Sequence, residues 1–213
     1  MEDEKMKKIM LIIAAVLFIV PSVASALPWN QGDSLAVTLL NPAVSSGGWG
    51  NGGLFELKNT TPTRNWTLKG FCIELDESTA NSTKLFDLKD DIATLGGRDT
   101  DAGDQLGGST KWLFNQYMNN PGSYDVGDVQ LAIWFLEDEY TGYGDSKLTD
   151  SAKALVTSAQ ANANYENSFI LALDTYDGKI QGQSFIVRVP EPTSLLLLGF
   201  ALFGLAAARR FKK

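Results

Sequence analysis

The chain has 213 residues and a formal net charge of −7, with no histidine and a single cysteine, Cys72. The lack of histidine excludes Ser-His-Asp triads, Cys-His dyads and histidine metal sites. One cysteine cannot form a disulfide within the chain. We therefore expect neither hydrolase chemistry nor a cofactor.

The N-terminus has the three parts of a secretory signal peptide. Lys5, Lys7 and Lys8 precede an apolar run at residues 9–20, and small residues ending at Ala26 form a cleavage pattern. The run has 12 residues, which is short for a membrane span of about 20. We predict export through the Sec translocon and cleavage after Ala26 by signal peptidase; an uncleaved membrane anchor is the alternative.

Residues 27–189 make up the predicted exported domain, which is long enough for one substantial core. They carry 11 basic and 21 acidic residues, a net charge of −10. Such a charge disfavours binding to nucleic acid or to an anionic membrane. We therefore predict that the domain does not bind nucleic acid.

The elements of this domain follow in the order strands, helices, strands. Period-two patterns and apolar runs predict strands at residues 34–41, 53–59, 65–75, 84–88, 168–175 and 184–189. Capping residues and helical spacing predict helices at residues 111–119, 129–140 and 150–163. This order predicts an α+β fold, with an antiparallel sheet or small sandwich and three helices packed at one end.

Two residues of the domain can react with each other. Cys72 lies within the strand-like stretch GFCIEL, on the face opposite Phe71 and Ile73. Gln130 lies at the second position of the predicted helix 129–140, for which Asp128 is the expected N-cap. A thiolate can attack a carboxamide carbon held about 3–3.5 Å away. Loss of ammonia would leave an internal thioester, and the helix N-terminus could stabilise the oxyanion.

The sequences around these residues, FCI at 71–73 and VQLAIW at 129–134, resemble the two signature motifs of thioester domains. That family is best known from surface adhesins of Gram-positive bacteria. The resemblance covers roughly residues 65–140 and implies that Cys72 and Gln130 form a thioester that captures a partner nucleophile covalently. Two alternatives remain: Cys72 is a small buried apolar residue and Gln130 a hydrogen-bonding one, or the chain is a non-reactive relative with the same fold.

Three further patterns are less specific. Asp99, Asp101 and Asp104 lie in a glycine-rich loop that could hold calcium, but the loop departs from the EF-hand pattern. The run of acidic residues at 137–139 suggests an exposed turn, because consecutive helical residues do not converge on one point. Trp49, within a glycine-rich turn, is the best candidate for stacking on a sugar.

The C-terminal residues 189–213 have the sequence VPEPTSLLLLGFALFGLAAARRFKK. An apolar run at 193–208 followed by four basic residues predicts that residues 190–213 contain a transmembrane helix and a basic tail, with the basic end in the cytoplasm. The order of Pro190, Glu191 and Pro192, the apolar span and the basic end resembles the PEP-CTERM sorting signal of Gram-negative bacteria. The resemblance implies recognition by an exosortase and removal of the tail. A plain anchor is the alternative.

Together these features predict a protein that is exported, held briefly at the inner membrane, and delivered to the cell surface or an exopolysaccharide matrix. There the thioester would attach it to a surface nucleophile or a polysaccharide. Because such an attachment does not turn over, we expect no enzyme activity. The alternative is a structural or carbohydrate-binding matrix protein of the same fold that does not react.

Overall fold

The computed structural model describes residues 29–45, 51–75, 77, 82–88, 92–93, 103–140, 144–178, 180–190 and 199. Contacts group Trp29–Val189 into one compact unit, which is the part described below. The predicted signal peptide with Ala26, and the predicted C-terminal membrane helix apart from two residues, lie outside the described residues. Among the residues that are described, we find no helix with the length and apolar character of a membrane span.

The unit contains eight strands and three α-helices within its described parts. The strands are β1 (Ser34–Ser45), β2 (Asn51–Asn59), β3 (Thr67–Cys72), β4 (Ser82–Asp87), β5 (Ile92–Ala93), β6 (Asp104–Gln105), β7 (Ile170–Asp177) and β8 (Ile180–Arg188). The helices are α1 (Gly108–Asn119), α2 (Val126–Leu136) and α3 (Asp150–Gln160). The prediction of three helices between two groups of strands is confirmed.

Six of the strands form a closed antiparallel barrel in the order β1-β2-β3-β8-β7-β4. Its closing pair joins β1 to β4, with Ser34 opposite Lys84. The predicted antiparallel pairing of the strands is therefore confirmed, but the sheet closes into a barrel and does not form a small sandwich. Closure pairs the two edge strands that an open sheet would leave exposed, and local patterns do not report such a long-range pairing. β5 and β6 form a separate two-stranded sheet.

The pattern of burial along the chain differs between strands of the barrel. In β1, Leu35 and Val37 are buried, whereas Thr38 is exposed. This is the pattern expected when one face of a strand meets solvent. In contrast, residues 52–55 and 182–187 are buried without interruption. Helix α2 contacts β1, β2 and β3, and the three helices contact one another. The helical layer therefore packs against the part of the barrel formed by β1, β2 and β3.

Helix α1 joins this layer through aromatic contacts with β3. The ring of Phe71 packs edge-on against Tyr117, with 5.0 Å between the ring centroids, and against Phe114 at 6.3 Å. Such edge-to-face pairs contribute about 0.5–1.5 kcal/mol beyond their buried area. They fix the position of β3 at the residue next to Cys72.

Candidate functional site

The side chain of Gln130 on α2 pairs with the backbone of Cys72 at the end of β3. Its Nε2 donates to the Cys72 carbonyl oxygen at 2.9 Å, and its Oε1 accepts from the Cys72 backbone N–H at 3.2 Å. The backbone N–H of Gly53 on β2 donates to the same Oε1 at 3.0 Å. Gln130 is 0% exposed and Cys72 is 2% exposed. The two residues proposed from their motifs are therefore neighbours in the core.

This pairing fills a gap in the barrel. The ladder between β2 and β3 runs as far as Leu54 opposite Phe71 and stops one residue before Cys72. The N–H of Ile73 bonds to the Ser184 carbonyl oxygen of β8, so the polar groups of Cys72 point the other way, toward β2. The Gln130 carboxamide takes the place that a peptide group of β2 would occupy.

Helix α2 begins earlier than the sequence suggested. Asp125, not Asp128, is the N-cap, and its side chain accepts from the N–H groups of Gly127 and Asp128. Gln130 is consequently the fifth residue of the helix, not the second. The expectation that the helix N-terminus stabilises an oxyanion on Gln130 is therefore wrong, because the two N–H groups on Oε1 come from strands β2 and β3.

The two strand N–H groups act on Gln130 as an oxyanion hole would. Both point at the oxygen that gains negative charge if a nucleophile adds to the carboxamide carbon. They sit in a water-excluded site, where such interactions are strongest. The carboxamide is thereby polarised, and it is bonded to the backbone N–H and carbonyl groups of Cys72, which flank the Cα atom that carries the thiol side chain.

The thiol itself is held in its neutral form. Burial raises the pKa of Cys72 well above its usual value, and the Glu77 carboxylate raises it further. A thiol is a much weaker nucleophile than a thiolate. Any reaction with Gln130 therefore requires removal of the thiol proton in the course of the attack.

Glycine at position 52 allows β2 to lie against α2 beside the site. A Cβ atom at Gly52 would lie 2.4 Å from the Trp134 ring and 2.7 Å from Gln130 Cγ. Trp134 is one helical turn after Gln130, and its Nε1 donates to the Glu74 carbonyl oxygen at 3.2 Å. The Gln-x-x-x-Trp spacing thus places both side chains on the face of α2 that meets β2 and β3.

The acidic run after α2 is not an exposed turn, as the sequence suggested. Asp138 is exposed and has a positive φ of 57°, whereas Glu137 and Glu139 on either side are buried. Glu139 Oε2 accepts from the Leu75 backbone N–H at 2.8 Å, and Glu137 Oε1 accepts from the hydroxyl of Thr110. The prediction assumed that a helix continues through 140, but α2 ends at 136 and the left-handed residue turns its neighbours inward.

A third buried acid, Glu74, lies two residues after Cys72. It is 1% exposed, and neither of its carboxyl oxygens has a hydrogen-bond partner among the described residues. Burial raises the pKa of Glu74 strongly, and the adjacent Glu139 carboxyl raises it further. Alternation along the strand predicts that Glu74 shares a face with Cys72, but nothing in the sequence pairs it with Glu139.

The other candidates find no support as sites. Asp99 and Asp101 of the calcium hypothesis lie outside the described residues, while Asp104 belongs to β6. Within the described ranges, no group of three or more Cys, Asp or Glu side chains is placed to hold a metal ion. Trp49 also lies outside them.

Comparison with known proteins identifies the C-terminal segment. Residues 188–210 match the family model described as "PEP-CTERM protein-sorting motif". This match supports the PEP-CTERM interpretation of Pro190, Glu191 and Pro192, and it implies exosortase-dependent sorting of an exported protein through a membrane-anchored intermediate. No curated protein and no solved structure matches the chain.

Proposed function

We propose that this exported, exosortase-sorted protein acts at the cell surface or in an extracellular matrix, where its barrel domain forms a thioester between Cys72 and Gln130. The thioester attaches the protein covalently to a nucleophile, such as an amine or hydroxyl, on a surface molecule or polysaccharide. The observation that carries the proposal is the Gln130 carboxamide held on the Cys72 backbone, with two N–H groups on its oxygen.

The proposed reaction transfers the Gln130 acyl group first to the Cys72 sulfur and then to the partner nucleophile. Cys72 Sγ adds to the Gln130 carboxamide carbon, and the negative charge that develops on Oε1 meets the N–H groups of Gly53 and Cys72. The C–N bond then breaks, and the nitrogen leaves as ammonia with the thiol proton. When a partner amine attacks the thioester, an amide forms at Gln130 and the Cys72 thiol is restored.

Burial explains how such a bond would persist. A thioester reacts with water, and at this site both residues are almost wholly inaccessible to it. Holding the two groups together also replaces an encounter in solution with a reaction between fixed neighbours, which can lower the barrier by about 7–11 kcal/mol. One bond forms per protein molecule, so the proposed activity is attachment and not turnover.

Amine labelling tests this function. The purified mature domain is incubated with a biotinylated primary amine, digested, and mapped by mass spectrometry. We expect the amine on Gln130 in the natural sequence and no label in the Cys72→Ala variant, which keeps the Gln130 hydrogen bonds to the backbone. Equal labelling of both proteins, or no labelling of the natural one, would contradict covalent capture.

The second candidate is a non-reactive protein that binds matrix carbohydrate. A cleft of about 670 Å³ between β6, the start of α1 and the segment before β7 favours it. Polar side chains that can bond sugar hydroxyls line this cleft, among them Lys111, Tyr165 and Asn167. Binding of exopolysaccharide that is lost in Tyr165→Ala but kept in Cys72→Ala would support this function over attachment.

A further inference from the structure

The sorting motif begins inside the folded domain. The family match covers residues 188–210, and its first residue, Arg188, is also the last residue of β8. The next residue, Val189, is 7% exposed, and its N–H donates to the Phe169 carbonyl oxygen at 2.8 Å. Two residues of the motif are therefore part of the barrel, and Pro190 is the first that is exposed.

The side chain of Arg188 ties this end of β8 to helix α1. Its Nη1 donates to the side-chain oxygen of Asn119 at 2.7 Å and to that of Asn115 at 3.3 Å. The two asparagines are four residues apart, so they lie on one face of the helix. The backbone of Arg188 lies opposite Ile170 in the ladder between β7 and β8. Arg188 is thus held by its backbone on the barrel and by its side chain on α1.

The electrostatics of α1 favour the same contact. The C-terminus of a helix carries a partial negative charge that a nearby cation stabilises. The last turn of α1, which the structure describes in full, contains no basic residue, and Asn119 is the final residue of the helix. The guanidinium group of Arg188 places a positive charge at this end. Both the hydrogen bonds and the helix dipole therefore hold the start of the motif on the domain.

An enzyme that binds the whole motif needs chain that the barrel has released. Residues that are buried and hydrogen-bonded in a sheet are not accessible to a second protein. The end of a strand opens by local fraying, which needs less free energy than global unfolding. When opening and closing are fast, the rate of cleavage follows the population of the open form. The contacts of Arg188 and Val189 therefore limit how often the complete motif is available.

We propose that Arg188, Asn115 and Asn119 form a latch that sets the rate at which the exosortase removes the C-terminal tail, the processing step that the sorting motif implies. The closed latch keeps residues 188 and 189 on the barrel, and the enzyme acts on molecules in which the latch is open. The latch acts before the peptide bond is cleaved, and it does not depend on the thioester. It lengthens the time that the folded domain spends as a membrane-anchored intermediate.

Pulse–chase labelling of the full chain in the native host measures this rate as the conversion of precursor to product. Asn119→Ala lies outside the sorting motif and removes the shorter bond to Arg188. Loss of a hydrogen bond to a charged group shifts an opening equilibrium by roughly tenfold, and we expect processing to accelerate by that factor. Asn120→Ala is the matched control, because Asn120 is the next residue, is exposed, and is not a partner of Arg188. It should be processed at the natural rate.

An insertion tests the latch without weakening the domain. Adding Gly-Ser-Gly-Ser-Arg-Val after Val189 gives the motif a second, free copy of its first two residues, while the barrel keeps the first copy. We expect this protein to be processed at least as fast as Asn119→Ala. Combining the insertion with Asn119→Ala should give no further acceleration, because the latch no longer limits access.

Three results would overturn the latch. The first is processing of Asn119→Ala at the natural rate, and the second is equal acceleration by Asn119→Ala with and without the insertion. The third is a natural protein that never loses its tail, which also contradicts the processing step itself. The product must disappear when Pro190, Glu191 and Pro192 are replaced by alanine; its persistence would show that another protease makes it and would likewise contradict the proposal.

Discussion

The side-chain amide of Gln130 pairs with both backbone polar groups of Cys72, 58 residues earlier in the chain. A side chain thereby completes a ladder that β2 leaves open. The same contact joins the helical layer to the barrel and holds the Gln130 carboxamide on the backbone of the only cysteine in the chain. The stability of the domain and the proposed chemistry therefore both depend on Cys72 and Gln130. Variants of these residues can distinguish the effect on stability from the effect on reactivity.

The first prediction separates them by comparing Gln130→Ala with Cys72→Ala. Removing the Gln130 amide leaves the Cys72 N–H and carbonyl and the Gly53 N–H buried without partners, at about 1–3 kcal/mol for each. Cys72→Ala keeps all three bonds and removes only the sulfur. We expect chemical denaturation to show that the free energy of unfolding falls by several kcal/mol in Gln130→Ala and by much less in Cys72→Ala. Neither variant should react with amines. Equal stabilities would contradict this role of the amide.

The second prediction concerns the close approach of β2 to α2. In Gly52→Ala the added methyl group would collide with the Trp134 ring and Gln130 Cγ. We expect a destabilisation of about 1–3 kcal/mol, typical of overpacking, and a loss of amine labelling as Gln130 is displaced. Gly122→Ala is the control, because a Cβ there meets no atom within 4 Å. If Gly52→Ala matches the control in both assays, β2 does not pack against α2 at Gly52.

The third prediction is a pH dependence of stability. Burial raises the pKa of Glu137 from its ordinary 4.5 to about 8. The folded state therefore binds more protons than the unfolded state between these values, and Glu137 costs stability as pH rises through them, at about 1.4 kcal/mol per pH unit. Glu137→Gln should thus gain stability relative to the natural protein across this window. Denaturation curves whose difference does not change with pH would refute the buried state of Glu137.

The fourth prediction concerns sorting. Replacing Pro190, Glu191 and Pro192 by alanine removes the first part of the matched sorting motif. In the native host we expect the variant to be exported but to remain uncleaved in the membrane fraction, while the natural protein is released from it. Fractionation and immunoblotting measure both size and location. Release of the variant at the natural rate would mean that the motif does not direct processing.

Much of the local structure can be predicted from the sequence, and the Cys72–Gln130 contact can be anticipated from two short motifs. Helix boundaries are harder, because both Asp125 and Asp128 are good N-caps and only the fold decides between them. With Asp128 as the N-cap, Gln130 is predicted at the second helical position and its oxygen beside helical N–H groups, whereas the donors are on β2 and β3.

Structural features that depend on contacts between segments distant in sequence cannot be predicted from local sequence patterns. The closure of the barrel depends on β1 meeting β4, and the inward direction of Glu137 and Glu139 depends on the positive φ at Asp138 and on partners such as Leu75. Consecutive acidic residues normally indicate a segment that is exposed to solvent. Their burial here follows from hydrogen bonds offered by segments remote in sequence.

The most direct test of the central claim is the intact mass of the purified mature protein. A Cys72–Gln130 thioester predicts a mass lower than the sequence mass by one ammonia, and the addition of one whole methylamine when the protein is treated with that amine. The full sequence mass, together with a Cys72 thiol that is alkylated once the protein is unfolded and no response to methylamine, would contradict the account.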